Sequence, residues 1–325
     1  MFRKLTWMSP LAAFAIAVVA VASCASAAKE VIDSVEAEAD PDFAVQGEYV
    51  ADGLGAQVVA LGGGEFDVVV YRGGLPGAGW KRGDERFTLK GKRDGDATQL
   101  EGGDRKGRIA GGVMTLAQPD GTTVQLKRTE RKSPTLGAAP PAGAVVIFDG
   151  TSGERFDAPD HYLPDQKAML SGITTKDAFG DYTLHLEFRL SWMPEARGQG
   201  RSNSGVYLHD AYEIQVLDSF GLEGRDNECG GIYSVNAPIV NMCLPPMQWQ
   251  TYDFEFTAPK YDAQGNKVAN ARVTVRHNGV VIHDDLELKH GTPGRKGEGP
   301  GPRPIHLQGH GNKVLYRNIW LKEEK

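Results

Sequence analysis

From Tyr182 to Leu190 every second residue is apolar. Tyr182, Leu184, Leu186, Phe188 and Leu190 fall on one side of an extended chain, and Thr183, His185, Glu187 and Arg189 fall on the other. A period of two predicts a strand with one face in a core. Trp249 to Thr257 repeats the pattern, with Tyr252, Phe254 and Phe256 together. Gly205 to His209 and Tyr212 to Asp218 predict a hairpin. Its second strand turns Ile214 and Val216 inward and leaves Glu213 and Gln215 outward, and Asp218, on the opposite side, reads as a loop anchor. Ala271 to His277 and Val280 to His283 flank Asn278-Gly279, a dipeptide suited to tight hairpin turns. Ile305 to Gln308 and Val314 to Leu321 complete this set.

The first half shows the same habit in shorter pieces. Gln57 to Leu61 and Glu65 to Tyr71 are separated by three glycines, Gly62 to Gly64. Arg86 to Lys90, Thr98 to Leu100, Gly107 to Ala110, Val113 to Leu116 and Thr123 to Lys127 continue it, with Asp120-Gly121 as a turn. Helical periodicity is nearly absent and no repeat is present. The prediction is an all-β chain: a small antiparallel sheet or barrel over 43–132, a Pro- and Gly-rich linker over 133–143, and a β-sandwich over 144–325. No catalytic constellation stands out in the first block.

Ahead of these, residues 29–42 are acidic without a hydrophobic period and read as a tether. Residues 1–28 read as a signal peptide: Arg3 and Lys4 precede the apolar stretch Leu11 to Val21. Two cleavage readings stay open. Ala25-Ser26-Ala27 suits release of a soluble protein, and Val21-Ala22-Ser23-Cys24 resembles a lipobox that would make Cys24 a lipidated first residue. Either predicts export, to the periplasm or to the outer membrane through a lipid anchor. In an exported chain Cys229 and Cys243 predict a disulfide. The 41 glycines sit in turn-like clusters, and the net charge of -6 with no basic stripe argues against nucleic acid as a partner.

Candidate chemistry lies on the polar faces. His185, Glu187 and Arg189 share one, Glu213 and Gln215 another, with Gln308 and Arg317 on the last two strands. A solvated face gives the same pattern. The loops weigh against that alone: Arg201-Ser202-Asn203-Ser204-Gly205 precedes the strand ending at His209, and the stretches around Cys229 and Cys243 are dense in Gly and Pro.

At these residues the chain resembles a family. Asn203 to Tyr207, Tyr212 to Asp218, Gly230 to Tyr233, Trp249 to Tyr252, Val314 to Trp320 and the opening Val146 to Gly150 resemble the 3-keto-disaccharide hydrolase domain, formerly a domain of unknown function. The resemblance covers about Ala144 to Glu323. It implies a concanavalin-like sandwich (a jelly roll) and cleavage of glycosides already oxidised at C3, by hydrolysis or by a lyase step. It also implies a separate oxidoreductase that supplies the ketone, and calcium as a possible cofactor. The first block looks like an accessory domain found ahead of such domains. One departure is Gly309 in Leu307-Gln308-Gly309-His310-Gly311, where the family's usual ending carries an aspartate.

Elimination from a C3 ketone needs a base, a positive charge or donor for the enolate oxygen, and help for the leaving group. Glu213 or His209 is the expected base, and Arg189 or Arg201 the expected enolate partner. Asn203, Gln215, Gln308, Glu187, His310 and Arg317 are expected to hold sugar hydroxyls. This requires Glu213, Gln215 and Arg189 to lie side by side on one pocket floor. The competing readings are a carbohydrate-binding module without turnover and a β scaffold that only docks partners.

Overall fold

The computed structural model describes residues 28–118 and 120–324, so the leader and Cys24 lie outside it. Eight strands of the first half close into a barrel: β1 (Gly47–Ala51), β2 (Leu54–Gly62), β3 (Glu65–Arg72), β4 (Arg86–Asp94), β5 (Ala97–Gly102), β6 (Arg105–Ala110), β7 (Val113–Ala117) and β8 (Thr123–Thr129). Each pairs antiparallel with the next, and β1 pairs with β8. Val58, Phe66, Val68, Leu89, Leu100, Ile109, Met114 and Leu126 fill the interior. Closure leaves no free sheet edge, and side chains occupy the space where a wider barrel would hold a ligand.

The second half stacks two sheets. The larger runs β10 (Tyr162–Leu163), β11 (Ala168–Leu170), β20 (Leu315–Glu323), β13 (Tyr182–Arg189), β16 (Trp249–Thr257), β17 (Ala271–His277) and β18 (Val280–Leu288), with β9 (Val145–Phe148) also on β20. The smaller runs β12 (Ile173–Thr174), β19 (His306–Leu307), β14 (Ser204–Leu208) and β15 (Tyr212–Val216). Leu184, Leu186, Phe188, Tyr252 and Phe254 of the larger sheet meet Val206, Leu208, Ile214 and Val216 of the smaller in one core. These are the alternating apolar residues of the sequence, each buried because the sheets face each other through them. Asn278 and Gly279 both take positive φ, as the β17–β18 turn needs.

The barrel is docked on the sandwich. Val59, Val69 and Tyr71 point out of the barrel and belong to the sandwich's core cluster, with Phe220 and Met242. Gly221 comes so close at φ 76° that a Cβ there would lie 2.5 Å from Val59. The stretch read as a tether is held down instead. It contains the short helix α1 (Ser34–Glu38), capped by Asp33, and Val31 pairs with Trp192. The Trp192 indole donates to Asp40 at 3.0 Å, and Phe43 packs edge-on against its ring. Among the described residues no helix is long and apolar enough to cross a membrane.

Candidate active site

The smaller sheet turns its second face away from the core, and two rows of side chains cross it. Tyr207 on β14 stands between its register partners, His306 on β19 and Glu213 on β15. In the next row Gly205 faces Gln215, and the Gln308 amide bonds the Gly205 carbonyl from the other side. Gly205 is required there. Glu213 leans over it so closely that a Cβ would stand 2.2 Å from Oε1. Asn203, just before β14, accepts from the Gln215 side-chain amide at 3.0 Å. Glu213, Tyr207, Gln215 and Asn203 are all buried, and His306 and Gln308 form the half-buried rim.

Burial decides the electrostatics of the first row. It pushes the Glu213 carboxyl up to about 7, against the Tyr207 hydroxyl that donates to Oε2 at 2.7 Å. A lone buried carboxylate has lost its hydration and holds a proton instead. Burial, with Glu213 beside it, holds the Tyr207 phenol in its protonated form. Burial also drives His306 down to about 4, helped by the Arg295 guanidinium, so its ring is neutral at neutral pH. Thr174 holds the His306 Nδ1 at 3.0 Å. In the second row, the buried Oε1 atoms of Gln215 and Gln308 have no hydrogen-bond partner among the described residues. Two acceptors beside a carboxyl that titrates near neutrality suit a ligand rich in hydroxyl donors.

Among the described residues no group of three His, Cys, Asp or Glu side chains is arranged so that it could hold a metal ion. Glu213 stands as a single carboxylate in the two rows, which does not supply the oxygen cage that calcium takes.

A family model described as the 3-keto-alpha-glucoside-1,2-lyase-like domain matches residues 143–322. The chain belongs to that family. The matched span holds the whole sandwich from β9 and all residues of both rows. The lyase-like domain is similar to a candidate glycosyl hydrolase of Parabacteroides distasonis, with 28% identity over 57% of this chain and 85% of that one, at a TM-score of 0.50. A second candidate glycosyl hydrolase of that organism matches at 16% identity over 56% of this chain and 95% of its own, at a TM-score of 0.42. No curated protein matches the chain. The sandwich is thus the fold of a carbohydrate-active hydrolase-type enzyme.

Several residues expected at the site of the lyase-like domain are elsewhere. Arg189 and Glu187 lie on the outer face of the larger sheet, with the core between them and Glu213. Arg189 donates to the Ile32 carbonyl and to Gln166. Glu187 accepts from Arg317, Asn318 and the Gly137 amide. The single floor joining Arg189 to Glu213 and Gln215 therefore does not form, and the expectation that needed it, with Arg189 at the enolate oxygen, is overturned. Alternation tells which side of its own strand a residue takes, but not which sheet that strand joins. Arg317 stays with Glu187 and stacks on Trp249, 4.0 Å from the ring centroid. Arg201 is buried at the barrel junction, where its Nε donates to Asp218 at 2.6 Å. Asp218 is indeed an anchor.

His209 has left the strand with φ 53°, donates Nε2–H to the Gly301 carbonyl and packs near Phe256. Burial lowers its proton affinity, but it belongs to the end of the sandwich and not to the Glu213 row. His310 is exposed. Cys229 and Cys243 are buried free thiols, not a disulfide. His283, at the polar end of the Val280 to His283 stretch, is buried and bonds the Gly230 carbonyl. Glu213, Gln215, Gln308 and Asn203 come together as expected. Tyr207, His306 and Gly205 were missed, although alternation from Leu208 back through Gly205 already put Tyr207 on the Glu213 side.

Proposed function

We propose that the protein is an exported enzyme that cleaves 3-keto-glycosides, with Glu213 as the base. The observation that carries this reading is the buried Glu213 carboxyl, raised to about 7, in line with Tyr207 and His306 and beside two unpartnered amide oxygens. A ketone at C3 acidifies the hydrogen on C2. A carboxylate titrating near neutrality is a stronger base than an ordinary one and is still ionised in a useful fraction. Glu213 takes the C2 proton, and the electron pair passes to the ketone oxygen as an enolate. The donors nearest to hand for that oxygen are the Tyr207 hydroxyl, which Glu213 gives up once it is protonated, and the remaining N–H groups of Arg295, whose Nε is held by Asp210. Collapse of the enolate breaks the C1–O bond. The aglycone leaves with the proton that Glu213 took from C2, which restores the carboxylate, and a 1,2-unsaturated 3-keto sugar remains. Addition of water across that double bond makes the net reaction a hydrolysis. Gln215 and Gln308 accept from sugar hydroxyls and fix the ring. The ketone comes from a separate oxidoreductase that acts on C3 of the glycoside.

Incubation of the protein with 3-keto-trehalose and a 3-keto-glucoside tests this. The wild type is expected to release product, and Glu213→Gln to lose at least about a hundredfold in kcat while still binding, as loss of a general base costs. Activity is expected to rise with pH around 7, because the base must lose its proton first. Binding without turnover by the wild type would make the sandwich a carbohydrate-binding module instead.

A further inference from the structure

A cleft of about 630 Å³ lies between barrel and sandwich. Its barrel side is the outer surface of β2 to β4, outside the span of the lyase-like domain. Val59 and Val69 from the barrel and Phe220 and Leu222 from the sandwich give it an apolar floor. Its charged rim is largely neutralised from within. Lys90 pairs with Asp67 at 2.5 Å, and Glu223 lies 3.9 Å from Arg86 and 3.7 Å from Arg225. Arg201 is taken by Asp218. Such a rim presents many donors and acceptors and little net charge. With an apolar floor it matches the two faces of a neutral pyranose: C–H groups below, hydroxyls at the edge.

The cleft shares a wall with the polar rows. Gly198 lines it, and the next residue, Gln199, accepts from both Asn203 at 3.1 Å and Gln215 at 3.3 Å. The Gln199 amide is tied in turn to the Asn227 carbonyl at 2.8 Å, one residue from Glu228 of the cleft.

We propose that the cleft is a second saccharide subsite, built jointly by barrel and sandwich, for neutral sugar units beyond the one held at Glu213. The order of the units rests on the reading of Glu213 as the place of cleavage. Occupation of the cleft by sugar does not. The barrel then contributes to substrate choice: it favours longer glycosides over short ones.

Full-length Glu213→Gln protein is titrated with glucose, maltotetraose and cellotetraose by calorimetry. At least one tetrasaccharide is expected to bind tenfold or more tightly than glucose. Thr88→Trp, which fills the cleft from an exposed barrel position, is expected to remove that advantage and leave glucose binding unchanged. Lys90→Ala is expected to reduce it with no bulk added. In the otherwise wild-type enzyme, Thr88→Trp raises KM for an oxidised tetrasaccharide and leaves methyl 3-keto-glucoside unaffected. Equal affinity for glucose and both tetrasaccharides, no measurable sugar binding, or a tetrasaccharide advantage unaltered in both variants overturns the proposal. Absence of turnover by the wild type sinks the cleavage reading alone, because the calorimetric contrast needs no reaction.

Discussion

At the residue scale, Glu213 sets function against stability. The folded protein raises its carboxyl to about 7 from an ordinary value of 4.5. The group stays protonated in the folded chain where the unfolded chain has already released the proton. The contribution of Glu213 to stability is therefore most favourable below pH 4.5 and falls as pH rises to about 7, above which the loss is complete. Glu213→Gln removes the titration and keeps the shape. The variant is expected to melt higher than the wild type at pH 8 and to lose that difference at pH 4, as thermal unfolding at the two pH values will show. A carboxylate placed for burial and not for pairing is a feature of functional sites, and here only Tyr207 offsets it.

At the element scale, the segment after the barrel acts as a strap on the larger sheet. Thr135 donates to Asp253 at 2.7 Å, the Gly137 amide to Glu187 at 2.6 Å, and the Trp320 indole to the Ala138 carbonyl at 3.0 Å. Beneath it His185 bonds Asp253 and stacks on Trp320. Burial resists charge on both His185 and Glu187, but their partners prevail. Asp253 and Glu187 raise His185, while His185, Asn318, Gly137 and Arg317 bring Glu187 down to about 2. The Glu187 contribution is complete above 4.5 and disappears as pH falls through about 2. The His185 contribution is complete below 6.5 and disappears as pH rises through its raised value. The strap is therefore held best between these limits. Hydrogen exchange at the Gly137 amide is expected to be slowest between pH 4.5 and 6.5, after correction for the intrinsic rate. Glu187→Ala is expected to cost about 3 kcal/mol, because it leaves Arg317, Asn318 and the Gly137 amide without their acceptor, while His185 keeps Asp253. These residues read as a sugar-binding face in sequence because a strapped polar face and a ligand face share one alternation. The covering segment, Ser133 to Ala138, comes from the linker, and no local pattern announces where a linker lies.

At the scale of the whole molecule, the barrel and the sandwich are joined by an apolar seam. Val59, Val69 and Tyr71 leave the barrel's outer surface for the sandwich core. An apolar seam of this kind couples two units that would otherwise move independently. Val69→Asp places a carboxylate in it and is expected to split one calorimetric unfolding transition into two, with the barrel and the sandwich melting separately. A single transition in that variant would show that the seam does not carry the coupling.

The sequence by itself determined what is periodic or local: the all-β class, most strands, the Asn278-Gly279 turn, the inward faces, and the outward pairing of Glu213 with Gln215. Each depends on residues a few positions apart, where backbone geometry leaves few choices. Only the tertiary structure decided which strands share a sheet. That put His306 beside Tyr207 and Glu213, sent Arg189 and Glu187 to the far side of the core, and buried Arg201 against Asp218. Strand order is a long-range property, set by the burial of whole faces, and two faces with the same alternation carry no mark of which will be covered by the chain and which will be left for a ligand.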